Sequence, residues 1–219
     1  MIPVCMEEEP LSFKNPAING ALYTFMLPGL LLRNNIKVFT QHFMSSTNEY
    51  SIQIIPTTKN DLPVVNWLFE EAMKLQGQNG YKVWTSIDQA ALERDIENKL
   101  QYKIVQDENI NCIFSIQYSD PFIWRERDWD DAIYLHRIVV NPNCKGQKLF
   151  EKVLQWAKDF VHSNNRKFVR MDTWADNHKI IEYYQSYGFR FIEHYQTDDT
   201  PDLPLQNRNL HVALLELAV

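Results

Sequence analysis

The stretch Tyr134–Val161, YLHRIVVNPNCKGQKLFEKVLQWAKDFV, and the one after it, Arg170–Phe189, RMDTWADNHKIIEYYQSYGF, decide how this chain folds. Together they read as strand, tight glycine turn, amphipathic helix, strand, capped helix and a closing Gly-Phe. Of the six glycines in the chain, only Gly146 and Gly188 lie beyond position 80. Each falls at a helix boundary, where glycine tolerates backbone angles that other residues resist. From Gly146 onward Leu149, Phe150, Val153, Leu154, Ala157, Phe160 and Val161 recur at helical spacing. Lys148, Glu151, Lys152, Gln155, Lys158 and Asp159 fill the opposite face, so a surface helix is predicted there. Lys167–Thr173 is the next strand. Asp176 or Asn177 caps a helix running to about Tyr187, and Gly188 supplies its left-handed C-terminal residue before the strand Phe189–Tyr195.

Working outward, the strand Ala132–Val140 ends at Asn141-Pro142, because a residue before proline is pushed out of continuing structure. Upstream, Ser51–Ile55 alternates as a strand does, and Asn60-Asp61 offers a cap for a helix to about Leu75. A second helix is expected over Ile87–Leu100. The strands Tyr102–Gln106 and Asn111–Tyr118 should form a hairpin through Asp107-Glu108-Asn109, and a charged connection, Asp120–Asp131, leads back to Ala132. Leu210–Ala218 gives a last strand. Strands and helices alternate without repeats, so the fold class is α/β (α+β), a mixed sheet with helices on its faces. Residues 50–219 form the expected domain and residues 1–49 an N-terminal extension, with Met44 as a candidate alternative start.

At 219 residues and 45% hydrophobic content the chain can bury one substantial core. A net charge of -6 argues against nucleic acid or an anionic membrane surface as partner. The apolar run Ala17–Leu32 is interrupted by Asn19, Pro28 and Gly29 and is too short to span a bilayer. Three cysteines, Cys5, Cys112 and Cys144, have neither metal spacing nor an even count, so no metal and a reducing cytoplasm are expected. No GxSxG, HExxH, Walker loop or GxGxxG is present, which removes support for hydrolase, zincin and nucleotide-hydrolase readings.

On these residues the chain resembles the GNAT superfamily of acyl-CoA-dependent N-acyltransferases over roughly Ser51–Val219. His136-Arg137-Ile138-Val139-Val140-Asn141-Pro142 is similar to the family's central strand, which ends in Val-x-Pro. Lys145-Gly146-Gln147-Lys148-Leu149-Phe150 stands where the family has Arg/Gln-x-x-Gly-x-Gly/Ala, with Lys145, Lys148 and Phe150 departing from it. Asn177, Ile180, Tyr184, Gly188 and Phe189 follow the family's Asn-x-x-Ala, Tyr and Gly-Phe spacing, Ile180 replacing a small residue.

The resemblance implies a mostly antiparallel central sheet flanked by helices. It also implies acetyl-CoA as cosubstrate, bound by Ile138, Val139, Val140, Lys145, Gly146, Gln147, Lys148, Leu149, Phe150, Asn177 and Tyr184, with the backbone of Val139 as oxyanion donor. Tyr184 is the implied general acid. A helix N-terminus presents unpaired amides to phosphate whatever its side chains, and Phe150 can turn into the core to leave them open.

An amine of pKa about 10.4 must lose a proton before it attacks, so a base is required. His136 is the candidate by its intrinsic pKa, against the alternative of a structural strand histidine. Asp172 either pairs with Arg170 or Arg137 or orients a water beside the substrate. Trp124 and Trp129 of the acidic connection, with Trp174, are candidates to line the acceptor site, although Trp84 and Trp174 equally suit a core.

The function read from this is acetyl transfer from acetyl-CoA directly to a primary amine, on a small molecule or a peptide, by a monomer or homodimer. A noncatalytic acyl-CoA sensor is the alternative, and a nucleotide-binding α/β domain a third reading.

Overall fold

The computed structural model describes residues 52–80, 84 and 86–219. The boundary near Tyr50 and the alternative start at Met44 lie outside the described residues. Within them the chain runs β1 (Gln53–Pro56), α1 (Leu62–Gln78), α2 (Gln89–Glu97), β2 (Gln101–Gln106), β3 (Asn109–Gln117) and a short helix α3 (Pro121–Trp124). It continues through β4 (Ala132–Val140), α4 (Leu149–Ser163), β5 (Phe168–Trp174), α5 (His178–Ser186), β6 (Arg190–Gln196) and β7 (His211–Ala218). The strands form one sheet in the order β1-β2-β3-β4-β5-β7-β6. Every neighbouring pair is antiparallel except β4–β5. The mixed, mostly antiparallel sheet that the sequence implies is therefore present.

Local chemistry explains where the elements stop. The β2–β3 hairpin turns on Asp107 and Glu108, both at positive φ, as a tight hairpin requires. Asn177 caps α5 through Oδ1, which accepts from the Ile180 N–H at 3.2 Å. Gly188, at φ 95°, ends the same helix, and a Cβ there would meet the Leu217 side chain at 3.3 Å. Helix α4 begins at Leu149 rather than at Gly146, because Gly146 (φ 81°) and Lys148 (φ 51°) are both left-handed and keep the chain out of the helix until Leu149. The charged connection Asp120–Asp131 contains α3 and a 3-10 turn at Arg125–Arg127.

Two apolar layers cover the sheet. On one face α4 and α5 pack Leu149, Phe150, Val153, Ile180 and Tyr184 against Ile133, Leu135, Ile138 and Val140 of β4. On the other, α1 and α2 pack Val65, Leu68, Phe69 and Leu92 against Ala132, Tyr134 and Val139.

The residues between Leu135 and Val139 break the simple alternation. Ile113 pairs with Val139 and Ser115 with His136, so Phe114 opposes two β4 residues, Arg137 and Ile138, and β4 carries a bulge. Arg137 takes φ 51° there. The extra residue puts the side chains of His136 and Arg137 into one cleft.

Just beside the bulge, β4 and β5 part. Their register runs from Ala132↔Phe168 to Leu135↔Met171. Beyond it β4 continues against β3 as far as Val140, and β5 against β7 as far as Trp174. The sheet thus opens along the second half of β4, where a parallel partner would otherwise satisfy the backbone.

Candidate active site

A cleft of about 310 Å³ lies over the bulge, a size suited to a small ligand or one end of a larger one. Its walls come from four segments: α2 with Trp84 before it, the end of β3 and the turn after it from Gln117 to Phe122, β4, and the β6–β7 connection from Asp202 to Asn207. The last of these is tied to the first. Gln206 is buried, and its Oε1 accepts from the Asp88 N–H at 3.0 Å, while Asp88 itself caps α2 through the Ala91 N–H at 2.9 Å.

His136 sits at the floor between two carboxylates. Its Nε2 is 3.3 Å from Asp120 Oδ2 and its Nδ1 is 3.5 Å from Asp172 Oδ1. Burial disfavours the imidazolium, but the Asp120 interaction and the charges of Asp120 and Asp172 outweigh it, so His136 titrates above the ordinary histidine value. Burial also raises the Asp120 carboxyl, with repulsion from Asp172 and Asp128 adding to it and His136 opposing it. The ligand atoms of Asp120, His136 and Asp172 all lie within 4.8 Å of one another. Both ring nitrogens face carboxylates, an arrangement that favours the imidazolium.

Arg137, next along the strand, is buried and donates from Nε to Ser115 Oγ at 3.0 Å, and it is ion-paired with Asp95. Burial lowers its pKa to about 10.

The other end of the open strand leads to the turn Lys145–Lys148, which is exposed throughout. No side chain caps α4, unlike α2 and α5. Phe150 is fully buried, its ring centroid 5.1 Å from that of Tyr184 and 5.0 Å from that of Tyr187. The aromatic side chain therefore packs inward, away from the exposed turn, where Lys145 and Lys148 suit an anionic group such as a phosphate. Ile138, Val139 and Val140 line the half of β4 that has no β5 partner, and Gln147 Oε1 accepts from Asn111 Nδ2 at 3.3 Å.

Other residues singled out in the sequence lie elsewhere. Tyr184 is fully buried in the α4–α5 layer, beside Phe150 and Phe189, on the face opposite the cleft. Trp124 is fully buried against Tyr134 and under the Arg170 guanidinium, and Trp174 is buried in the α1–α2 layer; neither lines the cleft. Trp129 is 67% exposed and also outside it. Two carboxylates of the acidic connection are spent on arginines: Asp130 holds Arg166 at 2.6 Å and Asp131 approaches Arg170 at 3.4 Å. Arg170 pairs with Glu216 and Arg137 with Asp95, so Asp172 is left to face His136. Asp120, Asp95 and Gln206 escaped the sequence reading. The one local signal was Asp120-Pro121 directly after a strand.

The chain matches the Acetyltransferase (GNAT) family over residues 115–189, which span β4, the turn, α4, β5 and α5. Over that stretch the chain is similar to GNAT acetyltransferases. It is similar to the uncharacterized N-acetyltransferase YesJ of Bacillus subtilis (strain 168), at 23% identity over 145 residues, covering 63% of this chain and 81% of YesJ. The GNAT fold extends beyond the matched region. A GNAT-family acetyltransferase structure from Listeria monocytogenes 4b F2365 superposes with a TM-score of 0.64 at 19% identity, covering 77% of this chain and 95% of the other. The acetyltransferase yncA from Salmonella typhimurium, solved with its cofactor acetyl-CoA, superposes with a TM-score of 0.52 at 15% identity, covering 76% of this chain and 93% of that one. No helix among the described residues of this chain is long and apolar enough to cross a membrane.

Proposed function

We propose that the protein moves an acetyl group from acetyl-CoA directly to a primary amine held in the cleft, with His136 as the base. The observation that carries this reading is the placement of His136 between two carboxylates at the point where β4 leaves β5. Acetyl-CoA, when bound, supplies the activated acetyl group and a thiolate leaving group. The protein's own residues supply the rest. The exposed turn before α4, with Lys145 and Lys148, suits the phosphates, and the edge of β4 from Ile138 to Val140 that has no β5 partner offers backbone groups to an extended ligand. Backbone N–H groups on the open edge of β4 meet developing negative charge, in place of Val139, whose N–H faces Ile113 of β3, and Tyr184, from the layer that covers Ile138 and Val140, gives the thiolate a proton. Direct transfer requires no covalent enzyme intermediate. Free, buried Cys112 and Cys144 support a reducing compartment.

Thiol release from acetyl-CoA across a panel of amines tests the reading. Turnover with at least one amine supports it. Acetyl-CoA binding with no turnover for any amine supports the noncatalytic sensor instead. Tyr184→Phe should lower turnover by about a hundredfold while leaving acetyl-CoA affinity in place; undiminished turnover would remove Tyr184 as the acid.

A further inference from the structure

Two carboxylates flank His136, and they are not equivalent. Asp120 lines the cleft, and Asp172 does not. Asp172 lies deeper, with 4% of its side chain exposed against 11% for Asp120. Asp120 Oδ2 is buried at the cleft floor and accepts no hydrogen bond from any described residue. It stands beside Nε2 without the alignment that would saturate it. A buried carboxylate oxygen with no well-aligned donor is undersaturated, and a ligand that brings a further donor relieves this.

The backbone of Asp120 is not free to swing away. Its N–H donates to Asp128 Oδ1 at 3.0 Å, which fixes the turn. The other charges of the cleft leave this oxygen as the available cation site at its floor. Asp95 is committed to Arg137 and also accepts from Gln117 Nε2 at 2.9 Å, while Arg94 and Asp202 are exposed.

We propose that Asp120 is the docking carboxylate for the acceptor's ammonium group, that His136 takes the amine's proton on Nε2, and that Asp172 holds the imidazole through its Nδ1–H. This rests on the acetyl-transfer reading and names the chemistry of its second substrate, a primary amine that arrives as a cation. Pro121 and Phe122, adjacent to Asp120, give the carbon atoms next to the ammonium an apolar surface; Phe122 is 42% exposed.

The proton step balances. One N–H bond of the ammonium breaks, its electron pair stays on nitrogen as the lone pair the attack requires, and the proton bonds to the Nε2 lone pair. The imidazolium so formed lies between Asp120 and Asp172, so the positive charge passes from the ligand to His136 without leaving the carboxylates. Asp172 sets which nitrogen is the base, because the hydrogen bond made by one ring nitrogen fixes the tautomer available at the other. Asp172 is thus a positioning residue and Asp120 a binding residue.

The test uses the full-length protein with ¹⁵N-labelled histidine, titrated with ethylammonium chloride against matched sodium chloride. Ethylammonium should move the His136 Nε2 resonance saturably and lower the His136 pKa, since a docked cation opposes the imidazolium. The neutral 1-propanol should do neither. Asp120→Asn should weaken ethylammonium binding by about tenfold or more, the range expected for losing a hydrogen bond to a charged group. Neutral His136 should carry its proton on Nδ1 in the wild type and in Asp120→Asn, and lose that preference in Asp172→Asn.

Equal affinity in Asp120→Asn, an equal response to 1-propanol, or a neutral His136 protonated on Nε2 would overturn the proposal. The 1-propanol and tautomer measurements need no variant. Acetyl-CoA binding and turnover, measured separately, distinguish the two readings. Their loss sinks acetyl transfer and leaves the ammonium result standing, whereas turnover with an unchanged amine KM in Asp120→Asn sinks only the docking role.

Discussion

Asp128 grips the turn that carries Asp120. One carboxylate oxygen accepts from the Ser119 hydroxyl at 2.6 Å and the other from the Asp120 N–H at 3.0 Å. A residue eight positions along the chain therefore decides where the Asp120 side chain points, and through it what His136 faces. Asp128→Ala removes both bonds without touching the cleft wall. Amine KM should rise by about tenfold, with acetyl-CoA affinity unchanged and a stability loss of about 1–2 kcal/mol. Steady-state kinetics in both substrates and a urea melt check this; a rise in acetyl-CoA KM of the same size would place the effect in general unfolding.

How much of this was legible depends on how local its cause is. The limits of β4 follow from Asn141-Pro142, and the start of α5 follows from Asn177, because a proline or a cap acts within a few residues. The bulge at Arg137 left no local trace. An arginine at positive φ is held by Ser115 and Asp95, from β3 and α2, and nothing in His-Arg-Ile announces that. The cleft is harder still, since its walls come from segments spread between Trp84 and Asn207. Trp124 misled for the opposite reason. Its neighbours in sequence are charged and suggest a surface, but in space it meets Tyr134 and Arg170. His136 was visible as a residue type; its placement between two carboxylates was not.

Lys148 occupies a glycine-like position. At φ 51° it carries a Cβ where the left-handed region penalises one, and its side chain is 69% exposed with only a surface contact to Glu151 at 3.4 Å. Lys148→Gly should stabilise the fold by about 1 kcal/mol, raising Tm by about 2–4 °C. Differential scanning calorimetry decides it. A fall in Tm would show that the α4 turn depends on the lysine side chain.

The pH profile follows from the charges around His136. Asp120 faces it from the β3–β4 connection, with Asp128 behind, and Asp172 faces it from β5; Arg137, beside it on β4, is paired with Asp95. A base works only when unprotonated, and His136 is held above the ordinary value of about 6.5. For amine acetylation kcat/KM should therefore climb with pH through an inflection above that value. Asp120→Asn and Asp172→Asn should each move the inflection downward, because each removes a charge that favours the imidazolium. An inflection at or below the ordinary value in the wild type would exclude His136 as the base in this environment.

Arg137 and Asp95 should respond to mutation unequally. Deleting Asp95 strands a guanidinium that is only 6% exposed, and burial already drives its pKa down to about 10. Removing one partner of a buried ion pair costs about 3–5 kcal/mol, because the remaining charge has no water to turn to. Deleting Arg137 leaves Asp95 in a different position. Its carboxylate still accepts from Gln117 Nε2 and lies at the cleft edge, and glycine suits the φ of 51° better than arginine does. Asp95→Ala should therefore be the more damaging change, and Arg137→Gly milder by about 1–2 kcal/mol. Urea denaturation of the two variants ranks them directly. The reverse order would mean that the Arg137 side chain, through Ser115 Oγ, holds the bulge and with it the separation of β4 from β5.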